Sequence, residues 1–155
     1  MSTNAPGTRA PRAEVTVPTT GRPVMLLTLD VPLDARAQRF ALETALGTGC
    51  PLVLCDAVPV GPNSAAAVLR MRGRPDADAS LRAAAGEARS LGVQVDELIF
   101  HSPRPLMAAT ALCAERGIGL LVFGPSRAAA GRWRYRAWSR RVRRDTPCLV
   151  WLPDD

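Results

Sequence analysis

The sequence predicts an α/β protein: a single doubly wound domain on a parallel sheet. Three observations predict it. The runs "VMLLTL" (24–29), "LVLC" (52–55) and "GLLVF" (119–123) are apolar without alternation, as strands covered on both faces are. Between such runs lie segments with apolar residues at helical spacing. The two kinds of segment alternate along the chain, which calls for right-handed crossovers and a parallel sheet.

In order, residues 1–22 are rich in Pro, Thr, Ala and Arg and read as a flexible arm, with "AEVTV" as a candidate added strand. The domain then runs over 23–155. Asp34 is placed to cap a helix whose inner face holds Ala37, Phe40, Ala41, Thr44 and Ala45, with Gly47 as its stop. Residues 58–77 hold Pro59, Gly61, Pro62, Gly73 and Pro75 and read mainly as loop. Asp78 caps the next helix, which buries Leu81, Ala84, Ala88 and Leu91 and ends at Gly92. "VQVDELIF" (93–100) alternates enough for a strand near a sheet edge. Ser102 and Pro103 suit the N-cap and first position of a third helix that turns Leu106, Ala109, Thr110 and Cys113 inward and closes at Gly117. A last helix spans about 132–144, and "CLVWL" (148–152) is the last strand.

Composition narrows the function. At 155 residues and 47% hydrophobic, the chain can bury one substantial core. All 20 basic residues are arginine, so neither a Schiff-base lysine nor a P-loop lysine is available. The net charge of +6 favours anionic partners only in a general way. Cys50, Cys55, Cys113 and Cys148 form no C-x-x-C pair and His101 is the lone histidine, so no metal site is expected. The cysteines read as buried free thiols of a reducing compartment, and His101 as structural or solvated. No apolar signal core or membrane-length run is present, and a soluble cytoplasmic protein is expected.

The order of elements, Asp30 at the end of the first strand, "LLVFG" before a glycine turn and "TPCLVWLP" after the last helix together resemble the universal stress protein family over roughly residues 23–153. The resemblance implies a five-stranded sheet of order 3-2-1-4-5. In that order a crevice opens between the carboxyl ends of strands 1 and 4, with Asp30 and Gly124 at its mouth. Family members that bind ATP carry G-x2-G-x9-G-[ST] after strand 4. Here Gly124 holds the first position and Arg127 replaces the second glycine. The third falls on Ala137, followed by Trp138, or on Arg136 when counted back from Pro147. After Asp30, Val31 and Pro32 stand where binders carry Gly-Ser, and Pro32 lacks an amide donor.

The candidate nucleotide-contacting set that the resemblance implies is Asp30, Val31, Ala57, Gly124, Pro125, Ser126, Arg127 and Ser139. Three of them have a plainer role: Asp30 as a strand-end cap, Ala57 as core, Gly124 as a backbone requirement. Arg127 and Arg132 are placed to grip phosphate in place of lost amide donors.

The segment Arg127–Arg144 carries eight arginines and three aromatics. On a helical wheel Tyr135, Trp138 and Val142 face the sheet. Arg136, Arg140, Arg143 and Arg144 lie opposite as a solvated face, Arg134 and Arg141 flank it, and Trp133 breaks the pattern. No G-x-S-x-G, H-E-x-x-H or paired carboxylates mark a catalytic site.

The reading is a universal stress protein-like, non-catalytic sensor or interaction module, with weak or absent ATP binding and weak ATPase at most. One alternative is an ATP- or AMP-binding member with weak hydrolysis. The other is an arginine-rich helix that binds RNA or another polyanion, although no nucleic-acid signature supports it. The expected partners are a second copy paired through 148–152 and an unidentified protein, without nucleic acid or membrane.

Overall fold

The computed structural model describes residues 21–61 and 75–153; the arm up to residue 20, including "AEVTV", and most of the 58–77 loop lie outside them. The elements are β1 (Val24–Thr28), α1 (Ala35–Thr48), β2 (Leu52–Pro59), α2 (Pro75–Ser90), β3 (Val95–Ser102), α3 (Pro105–Glu115), β4 (Leu120–Phe123), α4 (Arg127–Ala130), α5 (Arg132–Asp145) and β5 (Leu149–Trp151). The five strands form one all-parallel sheet in the expected order, β3-β2-β1-β4-β5.

The apolar runs alternate between two cores, one on each side of the sheet. Val24, Leu26, Leu52, Leu54 and Val122 pack against Ala37, Ala41 and Ala45 of α1 and Leu81, Ala84 and Ala88 of α2. Met25, Leu27, Val53, Cys55, Leu121 and Phe123 pack against Leu106, Ala109 and Cys113 of α3 and Tyr135 and Val142 of α5. The central strands are apolar along nearly their whole length because both of their faces are covered, with Thr28 and Asp56 as buried polar exceptions near their carboxyl ends. Helices after β1 and β2 lie on one face and those after β3 and β4 on the other, so the winding reverses between β1 and β4.

The element ends differ from the expected ones for local reasons. Asp34 caps α1 as read, its Oδ1 accepting from the amides of Arg36 (2.9 Å) and Ala37 (3.0 Å). The helix runs past Gly47 to Gly49, whose φ of 69° supplies the left-handed cap. Helix α2 starts at Pro75 rather than behind Asp78, with Asp76 and Asp78 in its first turn; proline suits the first helical position. Likewise Pro105, not Pro103, opens α3. Ser102 ends β3, and its Oγ accepts from the amide of Arg104 (3.1 Å) in the intervening turn. Thr110 of α3 is half-buried rather than inward. The short α4 was not expected; Ser126 caps it by accepting from the amide of Ala129 (3.3 Å).

Strand β5 is three residues long rather than five and lies at the sheet edge, as does β3. All four cysteines are free, and Cys50, Cys55 and Cys113 are buried. No helix of the described residues is long and apolar enough to cross a membrane.

Candidate functional site

The switch point is built from the ends of β1 and β4. Thr28 Oγ1 donates to the carbonyl of Val31 (2.6 Å), which turns the chain sharply after β1. Asp30 takes φ 58° in that turn, a region where Asp is enriched among non-glycine residues. Its amide donates to Asp56 Oδ1 (2.7 Å) on the neighbouring strand β2. Asp30 and Asp56 are both buried carboxylates. Asp56 was missed by the sequence reading. Its signal was an acid inside the run "LVLCDAV", where a buried charge is kept only with partners.

The loop after β4 closes onto the loop after β1. The Gly124 amide donates to the carbonyl of Leu27, the Asp34 amide to the carbonyl of Gly124, and the Ser126 amide to the carbonyl of Pro32, each at 2.8 Å. Leu33 and Pro125 face each other as an antiparallel bridge. These contacts form a clasp across the mouth. The Gly124 amide continues the β1–β4 ladder, and the Ser126 amide, a donor in the loop after β4, is spent on a protein carbonyl. Gly124 is packed tightly: a Cβ there would lie 2.7 Å from Leu26 Cδ1, 3.0 Å from Leu33 Cδ2 and 3.1 Å from the carbonyl oxygen of Leu27.

The structure separates the expected contact residues into three places. Asp30 and Val31 line a cavity of ≈ 190 Å³ together with Pro32, Pro75, Asp76, Ala77 and Ala129. That is smaller than the roughly 300–1,000 Å³ of typical ligand pockets. Arg127 and Ser139 line a different groove, of ≈ 680 Å³. Ala57, Gly124 and Pro125 are buried, and Ser126 caps α4. The Ser139 hydroxyl donates to the carbonyl of Tyr135 (2.8 Å).

The larger groove runs along α5. Its walls are Arg127, Arg132, Arg136, Arg140 and Arg143, with Tyr135, Ser139, Leu152 and Pro153. Tyr135 and Val142 are buried and Trp138 is half-buried, so the wheel placed the core face of α5 correctly. Arg144 is not part of the groove; it pairs with Asp145 (2.9 Å). Arg127 lies over the ring of Tyr135 (4.8 Å to its centre) and Arg134 over that of Trp138 (5.8 Å). Trp133 stands 78% exposed. Among the described residues, no group of three or more His, Cys, Asp or Glu could hold a metal ion.

No protein-family model and no curated protein matches the sequence. Solved structures do match. A universal stress protein family member from Burkholderia pseudomallei superposes with a TM-score of 0.66 at 18% identity, over 86% of this chain and 96% of that one. The universal stress protein of Archaeoglobus fulgidus in complex with dAMP gives 0.62 at 19% identity, over 85% and 97%. A universal stress protein family protein of Arabidopsis thaliana with AMP bound gives 0.57 at 17% identity, over 85% and 90%. At these identities the likeness speaks for architecture: the chain has the fold of the universal stress proteins.

Proposed function

We propose that the chain is a non-catalytic sensor or interaction module on the universal stress protein fold, with ATP held weakly or not at all at the switch point. The observation that carries this reading is the clasp. Two backbone hydrogen bonds, which together make the Leu33–Pro125 bridge, join the loops between which a nucleotide would lie. Entry of a ligand would break those bonds before making its own. The substitutions agree with this, since the second glycine of the nucleotide motif is Arg127 and the third is Arg136 or Ala137.

Calorimetry with ATP is expected to give no dissociation constant in the micromolar range, and Arg127→Gly alone is expected not to restore one, because the clasp stays closed. A micromolar constant for the wild type would overturn the reading. Adenine-nucleotide binding with weak hydrolysis is the competing function. It draws on the dAMP- and AMP-bound neighbours and on the small cavity beside Asp30. Under it, Asp30→Ala weakens binding.

We also infer a homodimer through β5. Its run from Cys148 to Leu152 carries no charge or proline, and among the described residues β5 pairs only with β4, so none of them covers its outer backbone edge. Leu149 is 75% exposed. Trp151 stacks on Phe40 of α1 (ring centres 4.2 Å apart). Leu149 is therefore the residue to test. Light scattering of the wild type should give about twice the 16.5 kDa chain mass. Leu149→Asp should give the single mass, because a charge on an open edge repels a second strand. A wild type that is monomeric at high micromolar concentration would refute the dimer.

A further inference from the structure

We propose that the groove along α5 is a binding site for a linear chain of phosphate groups without bases: an inorganic polyphosphate. The inference goes beyond the reading of the switch point and does not depend on it.

The first ground is charge. Five arginines line one groove, and no carboxylate of the described residues lines it; Asp154 and Asp155, which follow Pro153, lie outside them. Three surface arginines outside the groove are neutralised: Arg89 by Glu97 (3.0 Å), Arg116 by Asp96 (2.7 Å) and Arg144 by Asp145. Arg132, Arg136, Arg140 and Arg143 form no ion pair with a described residue. Aligning so many like charges costs self-repulsion, which an anion in the groove relieves.

The second ground is shape. Arg132, Arg136, Arg140 and Arg143 recur every three or four residues, so they form one stripe about 16 Å long. A stripe of guanidinium groups, each able to hold phosphate in a bidentate way, suits a ligand with charge repeated along its length rather than a single phosphate. The groove volume of ≈ 680 Å³ leaves room for such a chain.

The third ground selects against nucleic acid. Sites for single strands add aromatic platforms on which bases stack. The one aromatic lining this groove is Tyr135, 5% exposed, with Arg127 over its ring. The Ser139 hydroxyl donates to the Tyr135 carbonyl rather than into the groove. Leu152 and Pro153 form an apolar wall without polar side chains. The lining can grip a phosphate chain and offers no open ring face; Trp133, 78% exposed beside the stripe but outside that lining, is where a base could stack, and the RNA arm of the titration tests it.

The test is titration of the full chain with long-chain inorganic polyphosphate, compared with tripolyphosphate, ATP and single-stranded RNA of matched charge, in about 0.1 M NaCl. The long chain should bind at least about tenfold tighter than tripolyphosphate or ATP, because it alone meets the whole stripe, and its affinity should fall as salt rises. The double variant Arg136→Gln/Arg140→Gln should weaken it at least about tenfold, since charge-assisted hydrogen bonds are lost. A control that removes the same charge from the opposite side of the sheet, Arg39→Gln/Arg82→Gln, should weaken it little. The proposal is overturned if the long chain does not bind, if the control loses as much as the groove variant, or if RNA binds as tightly as polyphosphate. None of these results bears on the clasp, which calorimetry with ATP tests separately.

Discussion

Gly124→Val should destabilise the protein by about 4 kcal/mol or more, and Gly124→Ala by about 2 kcal/mol, in the range of severe overpacking. The reason is geometric. A methyl group at this position meets Leu26 Cδ1 at 2.7 Å, Leu33 Cδ2 at 3.0 Å and the Leu27 carbonyl oxygen at 3.1 Å. Leu26 is fully packed at 1% exposure and cannot swing away without opening a void elsewhere. The Leu27 carbonyl is backbone and already accepts from the Gly124 amide at 2.8 Å, so it cannot retreat without loss of that bond. Leu33 can move, but it belongs to the clasp, and moving it strains the Leu33–Pro125 bridge. Valine adds two further methyl groups to the same space. Against a total stability of about 5–15 kcal/mol, such a loss moves the midpoint of a denaturant titration far down. Gly86 is the natural control. It lies in α2, where an added Cβ meets nothing within 4 Å. Gly86→Ala should therefore stabilise by about 0.5–1 kcal/mol through helix propensity. Equal midpoints for wild type and Gly124→Ala would contradict the packing argument.

That contrast also marks what a linear reading of the chain can reach. Gly124 was recognisable as a glycine needed by its backbone, yet the reason lies in Leu26 and Leu33, which come close only when β1 and β4 pair. The central strands were legible because burial on both faces writes an unbroken apolar run, and the edge strand β3 because partial burial writes alternation. Asp34 was legible as a cap because its role is local. Gly47 was misread as the helix stop because both Gly47 and Gly49 suit a C-cap by residue type, and only the turn geometry selects Gly49. In the same way "HSPRP" offers two prolines, and the length of β3 decides which one opens α3. The site was less legible than the fold. The clasp joins residues about ninety apart in sequence, and no local pattern announces it. The arginine face was visible on the wheel, but its neighbours Leu152 and Pro153 reach it only through the return of the chain after β5. The wheel assigned Arg144 to the group and left out Arg132, because it could not see which side of the helix that return would flank.

Stability should fall as pH rises from about 9 towards about 12, and two buried thiols should carry much of the loss. Burial pushes the Cys55 thiol up from an ordinary 9.0 to about 12, and the charge of Asp56 adds to the effect. Burial likewise pushes Cys113 up to about 12, with the neighbouring Cys148 acting in the same sense. In the unfolded chain both thiols ionise near their ordinary value. Above about pH 9 the unfolded state therefore releases protons that the native state keeps, and the equilibrium shifts towards it. The stabilising contribution is fully present below about pH 9 and is lost as pH rises through the native values. Each pH unit inside that window costs up to about tenfold in the folding constant for a fully buried thiol. The measurement is the guanidinium midpoint at pH 8 and at about pH 10.5, for the wild type and for Cys55→Ala/Cys113→Ala. The double variant should start less stable, because each truncation leaves a small void, but its midpoint should fall less between the two pH values. A variant whose midpoint falls as steeply as the wild type's would assign the alkaline loss to other groups. The same burial predicts that a thiol reagent at pH 8 leaves Cys55 and Cys113 unmodified in the native protein and modifies both once it is unfolded.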